Sequence, residues 1–240
     1  MNSSPSKIST AAQEGTLLSK WEKAALTAWG RYITEAEKRV ILRAADGNPG
    51  LVFDNGCGEG RWTDLLGRQG WRAICADTDR VALDKCRLRN PAAVCLLLAP
   101  NECRLPAEDG SVSLILSIEV PAVLESGWFQ EEARRVLKPG GMLLGVFYNR
   151  NSLRGGFRAA ADFVRGKFCF YRMGFGHWRR QIRRADLRIV HAEGLCWFPF
   201  HRMSNSRWIP RFTRLEQLVG LRTLVRFSPW VLFIARKDLR

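Results

Sequence analysis

The chain has no apolar run approaching the roughly 20 residues that a bilayer-spanning helix needs. Its longest, 92–100 and 230–235, suit buried strands. Residues 1–15 are rich in Ser, Thr and Ala, with no apolar stretch of the kind a secretion signal carries. The seven cysteines include no C-x-x-C pair and are scattered along the chain. That spacing fits neither a disulfide framework nor a zinc site. These absences predict a cytoplasmic chain with no transmembrane segment, no disulfides and no metal. Internal repeats and low-complexity blocks are also missing. Acidic residues are scarce in one region: 151–240 holds 19 of the 38 Lys and Arg but 5 of the 23 Asp and Glu. Nearly all of the net charge of +15 therefore sits in that region. Such asymmetry suits an anionic partner, and equally a solvated basic face.

What is present is a folded domain. With 240 residues, 46% of them hydrophobic and 25% charged, the chain is able to bury a sizeable core. Residues 1–16 read as a flexible tail and 17–240 as one domain. Residues 17–46 read as two helical pieces, the second opening at a capping box of Thr34 and Glu37. Strands are expected at 51–54, 71–76, 93–99, 112–117 and 142–147. Helices are expected at 62–68, at 79–88 with Thr78 as cap, and at 122–137. After Tyr148 the rhythm loosens. A short helix at 178–185, a strand at 187–198 and a final strand at 229–235 are expected. An amphipathic helix at 212–225 would have Leu215, Leu218, Val219 and Leu221 as its apolar side. Residues 154–175 and 201–210 read as excursions from the sheet. Strands that alternate with helices and are apolar on both faces mean a mostly parallel α/β sheet covered on both sides.

The informative segment runs Val52-Phe53-Asp54-Asn55-Gly56-Cys57-Gly58-Glu59-Gly60-Arg61-Trp62. A strand enters a Gly-x-Gly-x-Gly turn and then a helix. The glycines permit a tight turn and close approach of backbone N–H groups to a ligand. Asp77 closes the next strand about twenty residues on, where an acidic side chain takes ribose hydroxyls. Leu105-Pro106-Ala107-Glu108-Asp109-Gly110-Ser111 and Leu137-Lys138-Pro139-Gly140-Gly141 follow in order.

These motifs resemble the class I S-adenosylmethionine-dependent methyltransferases, in particular their ubiquinone/menaquinone-biosynthesis-like subgroup. The resemblance covers roughly residues 51–146. It implies a Rossmann-like, seven-stranded, mostly parallel sheet with helices on both faces. On this reading 17–47 is a helical cap, 48–150 binds S-adenosylmethionine, and 151–240 is a basic half on the acceptor side. Gly56, Gly58 and Gly60 would line the methionine end of the cofactor, with Asp54 near its amino group. Asp77 would hold the ribose, and Asn101 and Glu102 the adenine. Cys57, Thr78 and Ser117 complete the expected cofactor set, Cys57 as packing under the loop rather than a nucleophile. Ile118 and Glu119 would leave the fourth strand beside the methyl group. The chain departs from the family at Asn101, where Asp is usual, at Ala107, where Phe is usual, and at Val112-Ser113, where Phe-Asp is usual.

Methyl transfer from a sulfonium needs alignment, and a base only where the acceptor loses a proton. Glu119, Tyr148 and His201 are the candidates for that role, with His177 beside them and His191 read as structural. Arg154, Arg158, Arg165, Lys167 and Arg172 are interleaved with Phe157, Phe163, Phe168, Phe170 and Tyr171. Arginines among aromatics suit a small or lipid-like, anionic acceptor, peripheral membrane contact through 151–240, or stacked RNA bases. Three functions stay open: methylation of a small or lipid-like acceptor, methylation of RNA, and non-catalytic binding on the same fold.

Overall fold

Alternate residues along the central strands face opposite sides, and this period of two builds two cores. The computed structural model describes residues 20–239. The expected tail at 1–16 lies outside them. Seven strands form one sheet: β1 (Leu51–Asn55), β2 (Arg72–Asp77), β3 (Val94–Leu97), β4 (Val112–Ser117), β5 (Leu137–Tyr148), β6 (Leu187–Leu195) and β7 (Trp230–Lys237). Their order is β3-β2-β1-β4-β5-β7-β6. Strands β1 to β5 pair in parallel, and β7 runs antiparallel to both β5 and β6.

Val52, Leu114, Leu116, Leu144, Val146, Leu232 and Ile234 point to one face. There they meet α2 (Ala28–Ala44), α3 (Arg61–Gly67) and α4 (Arg80–Arg89) through Ile33, Ile41, Leu66 and Leu83. Phe53, Ile115, Leu143, Phe147, Val231 and Phe233 point to the other face. That face is covered by α6 (Gly127–Val136) and α8 (Phe175–Arg184) through Phe129, Val136, Trp178 and Ile182. Trp178 also donates its indole N–H to the Leu124 carbonyl at 2.7 Å. A buried indole needs such a partner.

The seven-stranded sheet with helices on both faces is the expected fold, and several local expectations are corrected. The N-terminal region holds the two helical pieces expected, α1 (Lys20–Ala25) and α2, but the second opens at Ala28 and not at Thr34. Thr27 caps it, its hydroxyl accepting from Gly30 N at 3.1 Å. Thr34 and Glu37 lie inside this helix and form no capping box, because Glu37 is buried against Arg61. The cap of α4 is Asp79, which accepts from the N–H groups of Val81 and Ala82, and not Thr78. The helix expected at 122–137 is two, α5 (Pro121–Leu124) and α6, separated by Glu125 and Ser126. β3 is an edge strand with Val94 and Leu97 exposed, so the 92–100 run is not fully buried. Residues 154–175 contain a helix, α7 (Leu153–Val164). In α9 (Ile209–Leu218) the buried side chains are Ile209 and Glu216. Leu215, Leu218 and Val219, expected to face the core, are exposed.

Candidate active site

The chain order reverses between β1 and β4, so their connections leave in opposite directions and open a crevice at the C-terminal ends of the strands. A cleft of about 770 Å³ lies there. That is within the roughly 300–1,000 Å³ of small-molecule sites. Asp54, Gly56, Cys57, Gly58, Asp77, Thr78, Asn101, Glu102, Ile118 and Glu119 all line it. Residues 56–60, 77–78, 101–102 and 118–119 come from four connections, and the sheet topology alone unites them.

The loop after β1 is shaped for close approach. Gly56, Gly58 and Gly60 have φ of 71°, 53° and 73°, the left-handed region that side chains rarely adopt. A Cβ on Gly56 would stand 2.5 Å from a Val120 methyl, and one on Gly60 would stand 2.5 Å from Cys86 Sγ. Asp77 holds the loop open. Its Oδ2 accepts from Gly58 N at 2.7 Å and its Oδ1 from Asp79 N at 2.9 Å. Each carboxylate oxygen keeps a further lone pair for a ligand hydroxyl. Asp54 is buried beneath the loop and accepts from Thr63 Oγ1 at 2.7 Å. Burial pushes its carboxyl up to about 7, against the opposing hydrogen bond from Thr63.

The other end of the cleft carries charge. Glu119 follows β4 with a φ of 60°, rare for a residue with a side chain. Its Oε2 pairs with Arg202 at 2.6 Å. Glu37 projects from α2 beneath this pair and bonds Arg61 at 3.0 Å. Oε1 of Glu37 and Oε1 of Glu119 are both buried and have no N–H or O–H donor. Burial first, then the Glu119 charge, raise the Glu37 carboxyl well above the usual range, against Arg61 and Arg202. The walls between the two ends are Trp62, Ile118, Val120, Val123 and Trp128. Arg61 lies over the Trp62 ring at 4.4 Å.

Four expected residues fall outside the lining. Gly60 sits under the loop as the N-cap of α3. Ser117 is fully buried and accepts from the Asn55 amide at 3.3 Å. Tyr148 stacks on Trp230 at 4.6 Å, and burial, then Glu119, raise its hydroxyl far above the ordinary value. It is thus no base at neutral pH. His201 is exposed and accepts from Met203 N at 3.2 Å through Nδ1. Its neighbour Arg202 enters the cleft instead. Arg61, Glu37 and Trp128 were not foreseen, and the sequence marks Arg202 only as one of the arginines that sit among Trp197, Phe198, Phe200, Trp208 and Phe212 on the acceptor side. One signal existed for Glu37: it shares the α2 face of Ile33, Val40 and Ile41, and a charge on an apolar face needs a buried partner.

The methyltransferase-domain family model matches residues 53–145. Residues 53–145 thus form a methyltransferase domain of the class I S-adenosylmethionine-dependent kind. A probable S-adenosylmethionine-dependent methyltransferase of Mycolicibacterium smegmatis is 33% identical over 123 residues, 51% of this chain and 46% of its own length. The uncharacterized methyltransferase YodH of Bacillus subtilis is 32% identical over 112 residues, 45% of this chain and 48% of its own. The chain thus spans about half the length of the curated relatives it matches. Among solved structures, geranyl diphosphate C-methyltransferase from Streptomyces coelicolor A3(2), in complex with Mg2+, geranyl diphosphate and S-adenosyl-L-homocysteine, superposes with a TM-score of 0.63. It is 15% identical, over 86% of this chain and 81% of its own. The [4+2]-cyclase SpnF superposes with a TM-score of 0.62 at 15% identity, over 90% and 84%. These two likenesses concern the fold alone.

The residues present fit the family's cofactor. The left-handed loop leaves open space beside Gly58 that a Cβ would enter, an acid lies beneath it, and a second acid at the lip keeps acceptor capacity for hydroxyls.

Proposed function

We propose that this chain transfers the methyl group of S-adenosylmethionine to a small, apolar, lipid-like acceptor with an anionic group. One observation carries the reading: a single cleft joins the glycine loop and Asp77 at one end to Glu119 and Arg202 at the other. S-adenosylmethionine, when bound, supplies a methyl group already activated by its sulfonium charge. The side chains around it align and exclude water. Asp77 is placed to accept from ribose hydroxyls, and Asp54 to balance an ammonium. Asn101 and Glu102 flank the adenine end. Trp62, Ile118, Val123 and Trp128 give an apolar wall against which an acceptor lies flat. Arg61 and Arg202 favour an anionic group on it. For a hydroxyl acceptor, Glu119 is the base within the cleft, since Tyr148 and His201 do not line it. Glu37 holds Arg61 at the cleft, its carboxyl raised by burial and by the Glu119 charge.

The apolar wall and the paired arginines favour this acceptor over RNA. The geranyl diphosphate enzyme, whose substrate joins an apolar chain to an anionic head, is compatible with it. A second feature supports delivery from a membrane. Helix α7 turns Leu153, Phe157, Phe163 and Val164 outward beside Arg154, Arg158 and Arg165. No helix among the described residues is long and apolar enough to cross a membrane, so the contact would be peripheral.

The deciding experiment is a calorimetric titration with S-adenosylmethionine, followed by transfer of labelled methyl to a lipid extract. The wild-type chain is expected to bind in the micromolar range. Asp77→Ala removes hydrogen bonds to a charged group worth roughly 1.5–3 kcal/mol, about ten- to hundredfold in Kd. A folded wild-type chain that binds no cofactor overturns the reading. One that binds but labels no lipid overturns the acceptor class, and labelled RNA would replace it.

A further inference from the structure

Four of the seven cysteines meet on the sheet face beneath the cofactor loop. Cys57 lies in the glycine loop, Cys75 in β2 and Cys86 in α4, and their three Sγ atoms lie within 4.8 Å of one another. All three are buried free thiols. Cys95, on β3 beside Cys75 in the sheet register, brings a fourth sulfur to 3.9 Å from Cys86 Sγ. We infer that Cys57, Cys75 and Cys86, with Cys95 as fourth ligand, form a closed site for a thiophilic d10 cation, Zn2+ or Cu+.

The geometry favours this over packing alone. Ligands at a metal–sulfur distance of about 2.3 Å stand roughly 3.8–4.0 Å apart in tetrahedral or trigonal arrangement. The Cys86–Cys95 separation already matches, and Cys57, Cys75 and Cys86 need to close on one another by at most about an ångström. Cys95 stands outside that group of three and reaches the ion from the Cys86 side. The surroundings include a partner that orients a ligand sulfur. The Asn90 amide points at Cys86 Sγ from 3.7 Å while anchored to the Gly60 carbonyl at 3.1 Å and the Cys86 carbonyl at 3.2 Å. Hydrogen bonds of this kind hold metal ligands in position. Gly60 makes room, since a Cβ there would stand 2.5 Å from Cys86 Sγ. Cys57 also lines the cofactor cleft, which supplies a path of entry. Each thiol that coordinates gives up its proton, so binding is tighter at higher pH. The bound ion would tie the glycine loop to β2 and α4 before any cofactor arrives. This site does not depend on the acceptor or on turnover.

The test uses the full chain, purified under a phosphine reductant, stripped with chelator, and loaded with Zn2+ or Cu+ in separate arms. After gel filtration, mass spectrometry is expected to find about one ion per chain in one arm. Co2+ in place of the ion is expected to give sulfur-to-metal charge-transfer absorption. Cys103→Ser, at an exposed thiol apart from the cluster, leaves the stoichiometry unchanged. The double variant Cys75→Ser with Cys86→Ser loses the ion. A wild-type chain that leaves the column without either metal overturns the inference, and so does a double variant that still holds an ion. Should the double variant not fold, the Co2+ spectrum of the wild type decides: without the sulfur band there is no thiolate site.

Discussion

Glu119 holds a backbone conformation that costs a residue with a side chain on the order of 1–3 kcal/mol, and it holds it at the mouth of a cleft. The conformation directs its carboxylate to Arg202. If Glu119 removes a proton from the acceptor, Glu119→Gln keeps the shape and removes the base. The expected result is a fall in kcat of roughly 10²- to 10⁴-fold, with cofactor affinity unchanged by calorimetry. An unchanged kcat would leave the pair with Arg202 as structural. At this scale legibility was uneven for a physical reason. Asp54 and Asp77 were readable because a glycine turn and a strand end fix both positions locally. Arg202 and Glu37 were not, because each finds its partner across the sheet, and an irregular loop has no period to show whether His201 or Arg202 faces inward. The thiols that gather under the loop were hidden in the same way, on a loop, two strands and a helix.

Helix α7 shows what a whole element adds. At about 100° per residue, Leu153, Phe157 and Val164 fall within about 40° of one another. They are 84%, 76% and 83% exposed, with Phe163 at 86% nearby. The opposite side, Gly155, Ala159 and Asp162, is the buried one. Its large apolar side chains thus point away from the protein, flanked by Arg154, Arg158 and Arg165. Leu and Val do not stack on bases, and six cations at 150–172 against a single acid, the buried Asp162, disfavour a second copy of the chain. An anionic bilayer satisfies both. The chain is expected to sediment with phosphatidylglycerol vesicles and not with phosphatidylcholine vesicles, less so at high salt. Phe157→Ser with Phe163→Ser should cut partitioning by at least about tenfold and leave cofactor titration unaltered. Vesicle binding that survives the double substitution would place the contact elsewhere. The sequence reading saw the arginines and aromatics but no helix. Gly155 and Gly156 in the first turn lower helix propensity, and the Ser152 cap, which accepts from Gly155 N at 2.9 Å, is what starts it.

For the molecule as a whole, the sheet was legible because its central strands repeat the same apolar code, and the glycine turn at 56–60 punctuates it where parallel strands require; Gly140 and Gly141, expected as a turn, lie inside β5. What the code does not contain is the set of acids the fold buries. Asp54 and Glu125 are raised to about 7 and Glu216 to about 6, each chiefly by burial. Their unfolded values lie near 4. The unfolded chain therefore releases these protons first. The stability they contribute is complete below about pH 4 and is lost as pH rises through about 6–7. His191, held low by burial and by Arg43, acts oppositely below its ordinary value. Glu132, lowered by Arg135, opposes them only in more acidic solution. Glu37 and Glu59 are raised in the same sense and Cys86 is lowered in the opposite one, so five acids against one histidine and one thiol decide the sign between about pH 5.5 and pH 8. Self-repulsion at a net charge of +15 grows as pH falls and would mask the effect, but salt screens it within a few ångströms. In about 0.5 M salt, Tm should therefore fall as pH rises across that window. Asp54→Asn, neutral at every pH, should flatten the slope. A Tm that climbs with pH in the wild-type chain would show that these carboxyls are hydrated in solution and that the acid beneath the glycine loop is already ionised before any cofactor binds.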